Sequence, residues 1–378
     1  MKTLARIGAA AAAAAVLVGA GATAANAATP TPAFGQHQSG AVFAQTDNLA
    51  GNTIVAYDRL ADGTLREAGT YATGGLGGQL TGSVVDHTAS QGALDNDNGT
   101  LIAVNAGSNT ITTFGIAGDR LYKKQTLSSG GAFPVSVTSH GNQVYVLNAR
   151  NGGSIQGYLN LGGFLVPLPN SNRGLGLNPA QTPEFTSTPG EVSFTPDGSK
   201  VIVSTKNGSN AFDVFDSRGV FGLSPRPVVT TVAGTVPFGF AFDARGNVVA
   251  TEAGPSAVAT FAVNRDDTLT QISQQLTGQA ATCWIVADGT HFYASNAGSG
   301  TLSAFTDDGT GQLTAGAITA AEPGTVDATV TADGRYLYAQ TGAAGDIDEY
   351  AVAPDGTLTK IGAVTVPGAI GGEGIVVG

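Results

Sequence analysis

The chain has a single cysteine, Cys283, so no intramolecular disulfide can staple it. Only 12% of its 378 residues are charged, with Lys+Arg 17 against Asp+Glu 28 and a net charge of -11. A nucleic-acid partner needs clustered Lys and Arg to neutralise phosphates, and that excess is missing. Beyond residue 27 no apolar run reaches the roughly 18 residues needed to span a bilayer. Histidines number four, no two at zinc-ligand spacing, and one cysteine cannot complete such a set. Disorder is excluded as well, because 42% apolar content can build a core. What abounds is glycine, at 55 residues about twice average usage.

Lys2 and Arg6 precede an Ala/Val/Leu/Gly run from Ile7 to Ala25, closed by Ala25-Asn26-Ala27. That order of charge, apolar stretch and small-x-small site predicts a signal peptide over 1–27 and an exported, extracellular protein. No cysteine stands directly after the cleavage site to carry a lipid, residue 28 being alanine. Residues 28–40, rich in Thr-Pro and without periodicity, read as a flexible lead-in, and 41–378 as one domain.

That domain repeats itself. Leu101-Ile-Ala-Val-Asn-Ala-Gly-Ser-Asn-Thr-Ile-Thr-Thr-Phe114 matches Phe292-Tyr-Ala-Ser-Asn-Ala-Gly-Ser-Gly-Thr-Leu-Ser-Ala-Phe305, and weaker copies start at Val42, Val144, Val201, Val248 and Leu337. Each of the seven runs through a strand, a Gly/Asn turn, a strand ending in an aromatic, an Asp-Gly type of turn and a Leu-led strand. The aromatics are Tyr57, Phe114, Tyr158, Phe215, Phe261, Phe305 and Tyr350. A fourth strand leads into the next copy, as at Gly190–Phe194. Seven units of four antiparallel strands, roughly 45 to 59 residues apart and with no helical periodicity, predict an all-β, seven-bladed β-propeller. The C-terminal stretch 372–377 is an orphan innermost strand, expected to complete the N-terminal blade and close the ring.

The pieces Ala103-Val-Asn-Ala-Gly-Ser-Asn109, Ser193-Phe-Thr-Pro-Asp-Gly198, Pro237-Phe-Gly-Phe-Ala-Phe-Asp243 and Gly278-Gln-Ala-Ala-Thr-Cys-Trp284 resemble the lactonase-type seven-bladed propellers. That group includes 6-phosphogluconolactonase-like proteins and 3-carboxymuconate cyclases. The resemblance implies opening or closing of a lactone ring in a small organic or sugar acid. Members with known chemistry commonly carry a Pro-His pair opening an innermost strand. Here those places read Pro134-Val135, Pro189-Gly190 and Pro237-Phe238, so no catalytic histidine carries over.

In a propeller, innermost-strand starts and second-strand ends meet at one channel mouth. Aligning the copies places Gly92, Ser136, Glu191, Gly239, Trp284, Asp327 and Glu373 in an inner ring. Thr46, Asn105, Asn148, Lys206, Glu252, Asn296 and Thr341 form a second ring. Glu191, Glu373, Asp327 and Lys206 are the catalytic candidates, with Glu191 or Glu373 as general base, because crowded carboxylates raise one another's pKa. Arg150 in the adjoining turn joins Lys206 as an anion holder. Asn105, Asn148, Glu252, Asn296, Trp284 and His87 complete the substrate-binding set, His87 also reading as a solvated loop residue. No metal ligand set is assigned, but an oxygen-rich mouth suits Ca²⁺ or Mg²⁺. Cys283, lacking a histidine partner, reads as packing, and Trp284 as channel filling or the floor of a site. The competing expectation is a monomeric, non-catalytic secreted propeller that presents this mouth, or the loops 74–90 and 168–188, to a carbohydrate, cell-wall or protein partner. A third is a scaffold without a site.

Overall fold

The computed structural model describes residues 40–378; the segment expected to be a signal peptide, 1–27, and all but the last residue of the expected lead-in, 28–40, lie outside them. Seven antiparallel sheets of four main strands follow one another along the chain. Their innermost strands are Ile375–Val377 (blade 1), Leu94–Asp97 (blade 2), Pro134–His140 (blade 3), Glu191–Phe194 (blade 4), Pro237–Phe242 (blade 5), Thr282–Ala287 (blade 6) and Thr325–Val330 (blade 7). Blade 3 gains a short fifth strand, Arg173–Gly174, beside its third. Single helical turns occur at Glu184–Ser187 and Lys206–Ser209.

The ring closes as the orphan strand implied. Val42, Phe43 and Ala44 pair with Val377, Val376 and Ile375, so blade 1 is built from both ends of the domain. This removes a pair of unpaired strand edges from solvent.

All seven repeat aromatics are at most 1% exposed, wedged between adjacent blades. Five of them sit where the pairing of the third and fourth strands slips by a residue, as at Ala56/Tyr57, Thr113/Phe114 and Thr260/Phe261. A bulge there tightens the local twist and aims the ring into the neighbouring blade. Strands alternate on both faces between such contacts, which is why almost every residue of the first three strands is buried while the outermost strands are polar and half-exposed.

Candidate functional site

The channel mouth is not open. The chain leaving blade 1 is exposed at Thr81, Gly82 and Val84, and residues 85–91 then dip into the axis and plug it. Local chemistry shapes this segment. Asp86 Oδ1 accepts hydrogen bonds from the Thr88 amide and hydroxyl, both at 2.8 Å, and its Oδ2 accepts from the Ser90 amide at 2.8 Å. A short acceptor thus satisfies the backbone donors of a turn that no sheet can reach.

The plug is tied to blades around the ring. The His87 amide donates to the Gly371 carbonyl at 2.8 Å, and Ser90 Oγ donates to the Val135 carbonyl at 2.8 Å. The Gln91 amide donates to the Gly190 carbonyl at 3.1 Å. The Gln91 side chain crosses to blade 6, where its Nε2 donates to Ile285 O at 3.0 Å and its Oε1 accepts from Ile285 N at 2.8 Å. Two glycines make the seat. A Cβ on Gly239 would lie 2.2 Å from Gln91 Oε1, and one on Gly342 would lie 1.6 Å from the Val85 carbonyl oxygen. Trp284 donates from Nε1 to the Ser90 carbonyl at 2.6 Å and packs edge-on against Phe238, with ring centroids 5.0 Å apart. Its place is therefore in packed core beneath the plug, not on the floor of an open pocket.

The inner-ring carboxylates do face the axis together, but each is occupied by protein donors. Glu191 Oε2 accepts from the Phe240 amide at 2.6 Å. Glu373 accepts from the Ala93 amide at 3.2 Å and from the Thr88 and Ser90 hydroxyls at 3.3 and 3.4 Å. Asp327 accepts from the Ala328 amide at 3.0 Å and the Ile375 amide at 3.3 Å. Burial first, and the neighbouring Asp327 charge second for Glu373, push Glu191 and Glu373 well above the ordinary carboxylate range. Burial likewise lifts Asp327 to about 7 and Asp86 to about 6, against the hydrogen bonds each accepts. Asp47, on the loop after the first described strand, is fully buried and is pushed well up by its burial and by the Asp86 charge.

Lys206 is fully buried and faces the same cluster. Its Nζ donates to Ala89 O at 2.5 Å, Phe185 O at 2.7 Å and Thr188 Oγ1 at 3.0 Å, and lies 5.1 Å from the Phe238 ring centre. All three ammonium donors are thereby directed to protein acceptors. Burial pulls its pKa down to about 7, partly offset by Asp86. Cys283 nearby is driven by burial to about 12, which leaves it an inert thiol.

The structure separates the remaining candidates from this cluster. Asn105 clamps its own hairpin through Thr110 and Thr112 at 3.2 and 3.0 Å, and Asn296 does the same through Thr301 and Ser303. Asn148 donates to Ser129 O at 3.2 Å. Glu252 accepts from Gln274 of the outermost strand of blade 5, and burial raises its pKa. Of the second ring, Asn105, Asn148, Glu252 and Asn296 therefore point outward along their blades, while Lys206 turns to the axis. Arg150 is paired with Glu184, Nε to Oε1 at 2.7 Å, and stacks 4.2 Å from the Phe133 ring centre; the guanidinium holds Glu184 down at about 2. His87 is half-buried on the edge of the plug, not in a solvated loop, and burial lowers its pKa. Asp86, Thr88, Ser90 and Gln91 belong to the centre but carry no repeat signal, since they lie in the one inter-blade connection that enters the axis. Among the described residues no three His, Cys, Asp or Glu side chains are arranged to hold a metal ion.

These shifts set a pH dependence. Asp327 moves from 3.8 to about 7 and Asp86 from 3.8 to about 6, so the folded protein keeps protons that the unfolded chain has released. Their contribution to stability is complete below pH 3.8 and is lost as pH rises through 6 and 7. Lys206 acts oppositely, its contribution being lost as pH falls from 10.5 through about 7. Five raised carboxyls in this cluster, Asp47, Asp86, Glu191, Asp327 and Glu373, against one amine predict a falling unfolding midpoint between about pH 5 and 7.5. Urea titrations across that range should show it, with a shallower slope for Asp327→Asn; a midpoint that climbs with pH would contradict it.

No family model matches the chain. No curated protein matches it either. Solved structures do. A Lactobacillus plantarum protein superposes with a TM-score of 0.73 at 19% identity, covering 90% of this chain and 99% of its own. A candidate 6-phosphogluconolactonase from Bacteroides fragilis gives 0.71 at 18% identity, with 92% and 100% covered. The periplasmic gluconolactonase of Pseudomonas aeruginosa gives 0.70 at 19%, with 90% and 98% covered. The fold is thus that of the lactonase-type seven-bladed propellers over the whole described domain.

Proposed function

We propose that this protein is an exported propeller of lactonase fold that binds a ligand on its mouth face without converting it. The observation that carries this reading is the plug: residues 85–91 fill the axis, and Glu191, Asp327, Glu373 and Lys206 are all bonded to protein groups beneath it. A catalytic acid or base must reach the proton it moves. Glu373 and Lys206 have no exposed surface and Glu191 and Asp327 only 7% and 6%, and Arg150, the other anion holder, is paired with Glu184. Export rests on the 1–27 segment, and no described helix is long and apolar enough to cross a membrane. The periplasmic placement of the Pseudomonas aeruginosa relative in fold is compatible with it.

Lactone ring opening is the second reading, favoured by one observation. Asp86, Asp327 and Lys206 have pKa values near neutrality in one buried cluster, and such clusters concentrate at functional sites. It requires the plug to move aside. A pH-stat assay of residues 28–378 on aldonolactones and muconolactones, with and without Ca²⁺, separates the two. No acid release above background is expected. Release that Glu191→Gln abolishes would overturn the binding reading and establish lactone hydrolysis without histidine.

A further inference from the structure

In every blade a turn joins the third strand to the fourth on the face opposite the plugged mouth, and its chemistry divides the ring. In blades 1, 5, 6 and 7 it carries an exposed aspartate. Asp62, Asp266, Asp308 and Asp355 each accept from the threonine amide two residues on, at 3.0, 3.2, 2.7 and 3.0 Å. In blades 3 and 4 the turn is apolar instead, reading Leu161-Gly-Gly-Phe164 and Gly219-Val-Phe-Gly222. Leu161, Phe164, Val220 and Phe221 are all more than half exposed, Phe221 to 82%. These side chains do not close their turns. Asn160 Oδ1 takes the Gly163 amide at 2.7 Å in blade 3, and backbone bonds between Arg218 and Gly222 and between Gly222 and Gly219 do the same in blade 4.

Cations gather at the same place. Arg120, Lys123 and Lys124 on the outermost strand of blade 2, and Arg218 and Arg226 beside the blade 4 turn, are exposed. None of the five belongs to an ion pair among the described residues, whereas Arg59, Arg66, Arg150, Lys200 and Lys360 elsewhere are each matched to a carboxylate. The half-exposed Asp119 is the acidic residue at the blade 2 edge, and Asp216 in blade 4 is taken by Lys200 at 3.2 Å.

The three blades form one patch. Lys124 Nζ lies 5.8 Å from the Phe164 ring centre, and Gln125 exchanges hydrogen bonds with the Leu165 amide and carbonyl at 2.8 and 3.3 Å. Arg173 of blade 3 donates to the Ser224 and Leu223 carbonyls of the blade 4 turn, both at 2.8 Å. Protection of an exposed strand edge accounts for a lysine on an outermost strand, but not for Leu, Val and Phe at turn tips.

We propose that this rim docks on an anionic phospholipid bilayer, the apolar turns of blades 3 and 4 entering the headgroup boundary and the five unpaired cations lying over the phosphates. Projecting tips need no matching cavity in a bilayer, and the combination of apolar side chains with Lys and Arg is what an anionic interface retains. Such attachment needs no spanning segment. The acidic turns of the other blades set the orientation. At physiological salt, charges more than about 8 Å from the surface are largely screened, so the net charge of -11 does not cancel the local attraction. The inference goes beyond the mouth-face reading and stands independently of it, since the plugged mouth would face away from the lipid.

Residues 28–378 are mixed with vesicles of phosphatidylcholine alone or of phosphatidylcholine with phosphatidylglycerol, and the bound fraction is read by flotation. Binding is expected with the anionic vesicles only, falling at least about tenfold between about 0.05 and 0.5 M salt. Phe221→Ser should weaken it about tenfold. Lys124→Glu with Arg218→Glu should weaken it at least about a hundredfold. Arg265→Glu with Arg335→Glu, the same change of net charge in turns of blades 5 and 7, should alter it less than about threefold. Unchanged urea midpoints establish that the variants are folded. Equal binding to phosphatidylcholine alone, no binding to the anionic vesicles, or equal losses from the two charge pairs would overturn the proposal. So would a dimer in sedimentation velocity that Phe221→Ser dissociates, because a second copy would then cover the patch.

Discussion

Replacing Trp284 with alanine is expected to lower the unfolding free energy by about 3–5 kcal/mol, the range for a large aromatic removed from a close-packed interior. The indole is 4% exposed and packs with Phe238 and Val326 at the centre of the ring. Two losses combine. Its packed volume becomes a cavity that the blades cannot collapse into, because each inner strand is fixed by its own sheet. The Ser90 carbonyl also loses the Nε1 donor at 2.6 Å, leaving a buried acceptor unpaired. Trp284→Phe separates the two, keeping most of the packing and losing the hydrogen bond, for about 1–2 kcal/mol. Urea unfolding of both variants measures this. A cost below about 1 kcal/mol for the alanine variant would place Trp284 in an open pocket instead.

The second large effect concerns Lys206→Met. Methionine preserves length and apolar bulk but removes the ammonium that holds Ala89 O, Phe185 O and Thr188 Oγ1. Three buried acceptors on the plug and on the 184–188 turn are left without a donor, and Asp86 loses the cation that offsets its burial. Each buried acceptor left unpaired typically costs about 1–3 kcal/mol, so a loss of several kcal/mol is expected. The variant should also lose stability more steeply between pH 5 and 7, as Asp86 is then harder to ionise. Adding Asp86→Asn should recover part of that pH dependence, since an amide needs no counter-charge. An unchanged or raised midpoint for Lys206→Met would show that the amine does not secure the plug.

Amino-acid order alone determined the architecture. The copies led by Leu101 and Phe292, the seven aromatics and the orphan strand 372–377 are local signals, and local signals survive because each blade solves the same packing problem with nearest neighbours. The same alignment found the axis-facing positions Glu191, Asp327 and Glu373, since repeat equivalence fixes which residue of a blade faces the centre. It also assigned Asn105, Asn148, Glu252 and Asn296 to the mouth, where the structure turns them along the blades to clamp hairpins or meet an outer strand. Alignment reports the position of a Cα along a repeat and is silent on the direction of the side chain beyond it.

Only the tertiary structure decided whether the centre is a mouth or a core. That depends on residues 85–91, which occur once, have no counterpart in the other copies and so offer no periodicity to read. Asp86 and Gln91 become central because Gly239 and Gly342, from blades far along the chain, leave room for the plug to descend. A single unrepeated connection, seated by contacts more than a hundred residues away in sequence, converts a funnel of carboxylates into a buried interior.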